Sequence, residues 1–352
     1  MNKIALFSLS CLLFLGCEKI YDPVYSGEPD IIYTSFEDGD QEIYGVNLSG
    51  SFSLKLTNNS IADNYPIILP FNSKIVYQSN YKLFLMNLLG TKKQFIANSK
   101  ALFGPINSHS GDFIIFGDKP KDSLFVFDLF KYEFPTKRIT NLTQGGTTKG
   151  NIYHASPSIS SDDNKIVYEV TLTQNVADTT PATFKTELFI MDADGQNPTR
   201  ITYSDEFFIP IFPRFARNGE KVVFRNRDEL YLINPDGSNK KSVFPNQEYL
   251  CRKFEIHPNG DNIVFSGTHQ TDSTLYPGYP GIFSYNIATE EVREIVTSNA
   301  TSFFHEFEIS FNGKILVYYY QGDLFRANFD GTNIKKIASI NTLIGNIRIR
   351  PF

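Results

Sequence analysis

The sequence predicts an all-β protein, a β-propeller of four-stranded antiparallel blades, and three observations support this prediction. A short phrase of alternating apolar residues recurs along the chain, short polar turns separate the repeats, and a strand missing from the first unit appears after the last one. Most units begin about 40 residues apart, which is the period of propeller blades. We expect seven blades. Six is the alternative count, because the interval 128–192 is long enough to contain an irregular unit.

Composition agrees with many short strands. The chain of 352 residues contains 32 Phe and 19 Tyr, and its Gly and Pro residues are distributed along its whole length. Aromatic residues suit half-buried pleated surfaces, and turn formers at regular intervals suit short strands. The formal net charge of −5 is small and the Lys and Arg residues are scattered, which argues against a nucleic-acid-binding surface.

The recurring phrase is predicted to be the third strand of each blade. It consists of an apolar residue, Tyr or Phe, two variable positions and Asn or Asp. Its copies are EIYGVN (42–47), KLFLMN (82–87), SLFVFD (123–128), ELFIMD (187–192), ELYLIN (229–234), GIFSYN (281–286) and DLFRAN (323–328). Five copies place Gly three residues after the Asn or Asp, where a tight turn joins two antiparallel strands.

Three further phrases complete each unit. The predicted second strands are IIYTS (31–35), IVYQS (75–79), IIFGD (114–118), IVYEV (166–170), VVFRN (222–226), IVFSG (263–267) and ILVYY (315–319). First strands precede most of them, as in FEIHPNGDN (254–262), and fourth strands follow the third, as in TRIT (199–202). Each unit is therefore four strands joined by tight turns.

The two ends of the chain predict how the ring closes. The first unit begins at its second strand, and an unassigned strand, IRIRPF (347–352), follows the seventh unit. This C-terminal strand can complete blade 1, which closes the ring and leaves no open edge between the first and last blades.

Several of these stretches resemble a known family. IMDADGQNPTRIT (190–202) and PRFARNGEKVVFRNRDELYLINPDGSNKK (213–241) resemble the WD40-like repeats of TolB-type propellers, and the resemblance covers roughly residues 30–352. It implies the propeller architecture. The pairing of TolB with the Pal lipoprotein is not implied, because this chain has no room for the separate N-terminal α/β domain of TolB.

The N-terminus is predicted to be a targeting signal. Lys3 precedes an apolar stretch at 4–15 that is too short to span a membrane as a stable helix. Gly16-Cys17 resembles the lipobox of bacterial lipoproteins, which implies that Cys17 is the first mature residue and carries the lipid. The alternative is an ordinary secretory signal cleaved nearby. We therefore expect a signal peptide at 1–16, a tether at 17–29, one propeller domain at 30–352, and a lipid-anchored protein of the cell envelope, with the outer membrane favoured.

Binding residues are expected at one end of the propeller. Connections from a fourth strand to the next first strand, and from second to third strands, open at one end, which we call the loop face. The 1–2 and 3–4 turns open at the opposite end, the turn face. The long, irregular connections at 144–155, 171–186 and 268–281 all lie on the loop face, where binding residues are usually found. The candidate ligand-binding or partner-binding residues there are Tyr153, His154, Phe207, Phe208, Tyr249, Arg252, Tyr276, Tyr279, His305 and Glu306.

Catalytic and metal-binding signals are weak. No nucleophile elbow, P-loop, dinucleotide fingerprint or zinc-protease motif occurs. His154, His269 and His305 have no local spacing typical of a metal site, so we predict no metal and no cofactor. His109 and His257 are expected to be solvated turn residues, and Cys251 a small buried side chain.

Three functional hypotheses follow. The first is an envelope lipoprotein, expected to be monomeric, whose propeller is a non-catalytic platform for protein binding or assembly. The expected partner is an envelope protein or glycan. The second is a propeller-type polysaccharide lyase that resembles oligogalacturonate lyases, with His154, His305 and Arg252 as candidate catalytic groups. The third is a glycan-binding module. Two or more His beside a carboxylate or Gln at the channel mouth favour the lyase, and an aromatic rim favours the platform.

Overall fold

The computed structural model describes residues 27–37, 39–71, 73–100, 103–120, 126–144, 151–174, 183–203, 208–270, 278–298, 302–340, 342 and 344–351. Within these residues, 28 strands form seven four-stranded antiparallel sheets, and the only helical element is a 3-10 turn at Arg217–Gly219. The predicted seven-bladed propeller is confirmed. No helix in the described ranges is long and apolar enough to cross a membrane.

The strands, in chain order, are β1 (Ile31–Ser35), β2 (Glu42–Val46), β3 (Ser53–Lys55), β4 (Asp63–Ile68), β5 (Lys74–Ser79), β6 (Lys82–Asn87), β7 (Gln94–Asn98), β8 (Ile106–Asn107), β9 (Phe113–Asp118), β10 (Asp128–Glu133), β11 (Ile139–Asn141), β12 (Asn151–Ile159), β13 (Lys165–Gln174), β14 (Thr183–Asp192), β15 (Thr199–Arg200), β16 (Pro210–Ala216), β17 (Lys221–Asn226), β18 (Glu229–Ile233), β19 (Lys241–Ser242), β20 (Tyr249–Ile256), β21 (Asn262–His269), β22 (Tyr279–Asn286), β23 (Val292–Thr297), β24 (Glu306–Ile309), β25 (Ile315–Tyr320), β26 (Asp323–Asn328), β27 (Lys335–Ser339) and β28 (Ile344–Ile349).

The ring closes through the two ends of the chain. Blade 1 has the order β28-β1-β2-β3, and blades 2 to 7 each contain four consecutive strands, from β4–β7 to β24–β27. The closing strand begins and ends three residues earlier than the predicted 347–352. Ile349 pairs with Ile31, and the Arg350 amide then donates to the Asp30 carbonyl at 2.7 Å. Beyond this point Arg350 forms ion pairs with Glu28 and Asp30.

The hydrophobic core lies between the blades. Seven clusters of buried side chains occupy the seven contacts between neighbouring blades, and each cluster draws residues from both partners. The second strands are the most completely buried, which explains their near-continuous apolar sequences. The first strands are innermost and contact one another across neighbouring blades, as β12 does with β16 and β24 with β28.

Blade 3 corrects one repeat assignment. The predicted third strand at 123–128 is wrong, because the strand that pairs with β9 is β10, which begins at Asp128. Phe127 instead forms an isolated bridge with Tyr153 of blade 4. Residues 121–125 lie outside the described residues. The register shift accounts for part of the long interval before the blade 4 repeat.

The prediction for His257 is also wrong. Instead of being solvated, its ring is buried between blades 6 and 7, with Nε2 3.0 Å from the Gly313 carbonyl oxygen and the ring against Phe329. His109 does have an exposed side chain, and it pairs with Asp163 of the neighbouring blade at 3.3 Å. The turn of blade 6 is thus part of an interface between blades.

Ring closure gives the first testable expectation. Ile347 is fully buried between β1 and blade 7, so Ile347→Ala should lower the free energy of unfolding by about 2–5 kcal/mol. Ile139 in β11 is exposed, and Ile139→Ala should cost less than about 0.5 kcal/mol. Urea denaturation of both variants measures the difference. Equal losses would show that β28 does not stabilise the ring.

The close contact between Gly313 and His257 gives a second testable expectation. Gly313 has φ +72°, and a Cβ there would lie 2.4 Å from Cε1 of His257. Gly313→Ala should therefore destabilise the protein by more than about 1 kcal/mol. The control is Gly219→Ala, at φ +93° with no atom near its Cβ position, which measures the backbone cost alone. A loss for Gly313→Ala no larger than that of the control contradicts the packing of His257.

Candidate functional site at the channel mouth

A β-bulge recurs in the innermost strand close to the loop face. In β4, β12, β16 and β28 two residues oppose one residue of the second strand. The first bulged residue has a positive φ in every case, at Tyr65 (51°), Ser156 (47°), Phe212 (54°) and Asn346 (52°). Residues other than Gly rarely adopt this conformation, and such strain concentrates at functional sites. The bulges therefore mark the channel mouth as a candidate site.

Blade 6 has a shorter bulge, which lies closer to the loop face than the other four. Its register shifts between Cys251 and Lys253, which leaves Arg252 unpaired and exposed. The Arg252 guanidinium lies 3.7 Å from the ring centroid of Phe303, which precedes the first strand of blade 7. A planar cation stacked on an aromatic ring keeps its outward-facing donors available to an acceptor on a ligand.

Phe212 is the most unusual side chain of the mouth. It is 43% exposed despite its size, and its amide donates to a carboxylate oxygen of Glu169 in blade 4. Arg225 stacks on the Phe212 ring at 5.1 Å and donates to the Arg252 carbonyl. The phenyl ring is thus held outward by a fixed backbone and a stacked guanidinium.

Glu169 holds the backbone of Phe212 in place. Its side chain is buried, and burial raises the pKa of the carboxyl group. The Phe212 amide, the Ser156 hydroxyl and the guanidinium groups of Arg214 and Arg225 oppose that rise. One carboxylate therefore connects the bulges of blades 4 and 5.

Below the mouth, three ion pairs line one side of the channel. The first strands of blades 5, 6, 7 and 1 form three ion pairs, Arg214–Glu255 at 3.6 Å, Lys253–Glu306 at 2.8 Å and Arg348–Glu308 at 3.3 Å. In blades 2, 3 and 4 the positions corresponding to Arg214 are Ile67, Ile106 and Ser158. The channel is therefore polar along blades 5 to 1 and uncharged at this level along blades 2 to 4.

Glu308 is the strongly perturbed acid of this group. Burial raises the pKa of Glu308, the Arg348 guanidinium lowers it and nearby Glu255 raises it, and the net result is a pKa of about 7. Lys253 and Arg214 stabilise the charge of Glu255, whose pKa is lowered despite its burial. Two neighbouring carboxyl groups thus differ in proton affinity because the cations are unevenly placed around them.

The structure places Tyr153 and His154 between blades 3 and 4. Tyr153 stacks on Phe127 with centroids 5.5 Å apart. His154 is 7% exposed, and its Nδ1 lies 2.9 Å from the Phe127 carbonyl oxygen and 3.2 Å from Asp128 Oδ1. Asp128 also accepts a hydrogen bond from Thr143. This imidazole is occupied by contacts that join two blades.

Tyr249 and Tyr279 belong to the aromatic packing of blade 6. Tyr249 is buried against Phe283 and stacks on His269 with centroids 4.5 Å apart. The Tyr279 hydroxyl contacts His269 Nδ1 at 2.9 Å and donates to Glu294. His269 is thus held inside an aromatic cluster.

The remaining candidates divide between the mouth and its surroundings. Arg252, His305 and Glu306 lie at the mouth, with exposed His305 edge-on to Phe303. Phe208 is half-buried against Phe224 and Tyr231. Phe207, Tyr276 and the predicted lipidation site Cys17 lie outside the described residues. Cys251 is fully buried, and burial raises the pKa of its thiol.

No group of three or more His, Cys, Asp or Glu side chains in the described part of the chain is arranged to hold a metal ion. His154, His269 and His305 are each placed by a different set of neighbours, as described above.

Sequence reasoning missed Tyr65, Phe212 and Arg225. The signal was present: Tyr65-Pro66, Gly104-Pro105, Ser156-Pro157 and Phe212-Pro213 occupy corresponding places in blades 2 to 5. Proline cannot donate to a ladder, so within strands it is found at edges and bulges. A repeated X-Pro pair in the innermost strand therefore predicts a bulge at the mouth.

Two long hairpins rise beside the mouth. The predicted insertion at 171–186 extends β13 and β14, which pair as far as Gln174 and Thr183. The insertion at 268–281 likewise extends β21 and β22, which pair as far as His269 and Tyr279. Both hairpins are second-to-third-strand connections and so lie on the loop face.

Comparison with known proteins supports the architecture. No family model matches the chain, and no curated protein matches it. Among solved structures, an oligogalacturonate lyase from Vibrio parahaemolyticus has a TM-score of 0.64 at 15% identity and covers 89% of this chain and 86% of its own. An oligogalacturonate lyase in complex with manganese has a TM-score of 0.64 at 16% identity, and the match covers 88% of this chain and 85% of the lyase. TolB from Acinetobacter baumannii has a TM-score of 0.52 at 15% identity, and the match covers 82% of this chain and 66% of TolB. At these identities the likeness shows the fold alone.

The raised pKa of Glu308 predicts a pH-dependent stability. An unfolded Glu titrates near ~4.3, so between that value and pH 7 the folded protein binds more protons than the unfolded chain. Stability from this group is complete below about pH 4 and is lost as the pH rises through 7. Glu308→Gln cannot ionise, so wild type should lose stability relative to this variant between pH 5 and 8.

Thermal unfolding at several pH values measures this difference. Glu220→Gln, which removes an exposed carboxylate on the turn face, is the control and should follow wild type. Parallel curves for wild type and Glu308→Gln would contradict a desolvated Glu308.

Proposed function

We propose that the protein is a lipid-anchored component of a bacterial cell envelope whose propeller is a non-catalytic platform for a protein partner, bound at the channel mouth of the loop face. Cys17 carries the lipid in this proposal, and the outer membrane is the favoured location. The observation that carries it is Phe212, an exposed aromatic ring held in a left-handed backbone conformation beside stacked Arg225 and Arg252.

Aromatic and Arg side chains are the residues that most often dominate binding energy at protein interfaces. The loop face supplies both. Beyond Phe212, exposed apolar side chains on this face are Phe36, Ile61, Tyr81, Leu172, Tyr203 and Ile209, and Arg200 stacks on Tyr203 at 4.3 Å. Since the backbone already holds Phe212 in place, little conformational entropy is lost when a partner binds it.

The same geometry favours binding over the lyase alternative. His154 is buried and engaged by Phe127 and Asp128, so it is poorly placed to reach a substrate in the channel. Arg252 is stacked on Phe303 at the rim. The likeness to oligogalacturonate lyases supports a shared scaffold, and the rim of this chain supports a contact surface.

Affinity purification from the detergent-solubilised envelope tests the proposal with a loop-face double variant, Phe212→Asn with Arg252→Ala. Asn tolerates positive φ better than most residues, so the bulge is retained while the ring is removed. Wild type should recover a protein partner in near-stoichiometric amount, and the double variant should recover at least about tenfold less, which corresponds to a loss of about 1.4 kcal/mol.

The matched control is Phe95→Ser, which removes an exposed ring from the outer strand β7. It should retain the partner. Recovery that is unchanged in the double variant overturns the proposed site, and binding of an acidic glycan with no protein partner overturns the proposed function.

A further inference from the structure

Four exposed apolar side chains occupy turns of the turn face. Phe71, which is 81% exposed, and Phe311 lie in the turns after the first strands of blades 2 and 7. Leu89 and Ile334 lie in the turns after the third strands of the same two blades. Among the described residues, these are all the large, exposed apolar side chains found in turns of this face. They cluster on the two blades that flank blade 1.

Blade 1 is where the chain enters and leaves the propeller. The N-terminal segment at Glu28–Asp30 and the C-terminal Arg350 meet on the turn face, joined by the ion pairs of Arg350. The surface is continuous across the neighbouring blade, because Lys335 Nζ donates to the Ser49 carbonyl at 2.9 Å. The apolar turns therefore lie on both sides of Gly27, the first described residue.

Charge divides the turn face into two sectors. The turn face of blades 7, 1 and 2 carries five exposed lysines, which are Lys74, Lys92, Lys93, Lys314 and Lys335. Its acids are Asp330 and the Glu28 and Asp30 that pair with Arg350. The turns of blades 3 to 6 contain eleven acids, which are Asp112, Glu133, Asp162, Asp163, Asp192, Asp194, Glu220, Asp236, Asp261, Glu290 and Glu291. They contain fewer bases, which are Lys137, Arg138, Lys165, Arg217, Lys221, Lys240 and Lys241, so this sector is acidic on balance. Apolar side chains accompany the basic sector only.

The length of the tether limits how far this surface can lie from an anchor. Ten residue steps separate Cys17 from Gly27, the first described residue. Even a fully extended chain spans at most about 3.3–3.6 Å per residue, so a lipid on Cys17 keeps the turn face within about 36 Å of the bilayer. The apolar turns are within reach of the membrane that holds the lipid.

We propose that the turn-face sector formed by blades 7, 1 and 2 lies directly on an anionic lipid bilayer. The inference rests on the lipid anchor of the proposed function. Phe71 and Phe311 enter the headgroup region, where aromatic and aliphatic side chains are favourable, and the lysines pair with anionic headgroups.

The acidic sector determines the tilt. Anionic headgroups repel the turns of blades 3 to 6, so the propeller leans on its blade 1 side and raises its opposite rim. The loop face then points away from the membrane, which leaves the channel mouth accessible to a partner in the adjoining compartment.

Site-specific fluorescence tests this orientation in the full-length lipidated protein. Cys251 is fully buried and Cys17 is acylated, so a single introduced cysteine is labelled selectively. Phe71→Cys and Phe311→Cys report on the proposed surface, and Tyr203→Cys on the loop face is the control. Each labelled protein is reconstituted in phosphatidylethanolamine–phosphatidylglycerol vesicles that contain nitroxide-labelled lipid. The labels at 71 and 311 should be quenched several-fold, and the label at 203 should remain bright.

A matched charge reversal tests the role of the lysines. Lys92→Glu with Lys93→Glu should reduce quenching at position 71, whereas Lys240→Glu with Lys241→Glu, at the corresponding turn of blade 5, should leave it unchanged. Equal effects of the two reversals, or bright labels at 71 and 311 on protein that floats with the vesicles, overturn the membrane surface. Protein that does not float and whose N-terminal peptide has no acyl mass overturns the anchor itself. Loss of partner capture is measured separately and concerns the loop face.

Discussion

The pairing of β28 with β1 is the constraint on which the rest of the structure depends. Every blade buries both of its faces against neighbours, so an open ring would expose two apolar faces at once. The closing strand comes from the opposite end of the chain, and Arg350 reinforces it through ion pairs to Glu28 and Asp30. Because the clusters between blades depend on neighbours being present, losing this strand weakens the two adjoining interfaces first and then the ring.

Closure also explains where backbone strain is tolerated. The seven interfaces are packed from apolar side chains in ordinary strand conformations, whereas four positive-φ residues sit in the bulges of the innermost strands. Strain of this kind persists only when surrounding structure determines the conformation. At Phe212 the determining contacts are visible: Glu169 accepts the amide hydrogen, and Arg225 covers the ring. Stability supplied by the interfaces thus permits an exposed, fixed aromatic ring at the mouth.

Sequence reasoning predicted the blades well and the site less well. Apolar alternation and turn residues are local signals, so the blade count and closure followed from the chain alone. The third strand of blade 3 was misplaced because SLFVFD and DLFKYE both fit the pattern, and only pairing with β9 distinguishes them. His257 was misjudged because its burial depends on Gly313 of the next blade. At the mouth, Arg252 was predicted, but Phe212 and Arg225 meet only when β16 bulges beside β17.

The direction of the first strand that the chain enters decides on which face of the propeller its N-terminus lies. Successive strands of a blade run in opposite directions, so a chain that enters at the second strand of blade 1 must enter from the turn face. Had the chain entered at a first strand, its N-terminus would emerge among the loops of the channel mouth. Entry at the second strand of blade 1 leaves the first-strand position open for β28, and it has a further consequence. It puts the N-terminal end of the propeller on the face opposite the exposed Phe212, so the proposed membrane attachment and the proposed partner site use different surfaces.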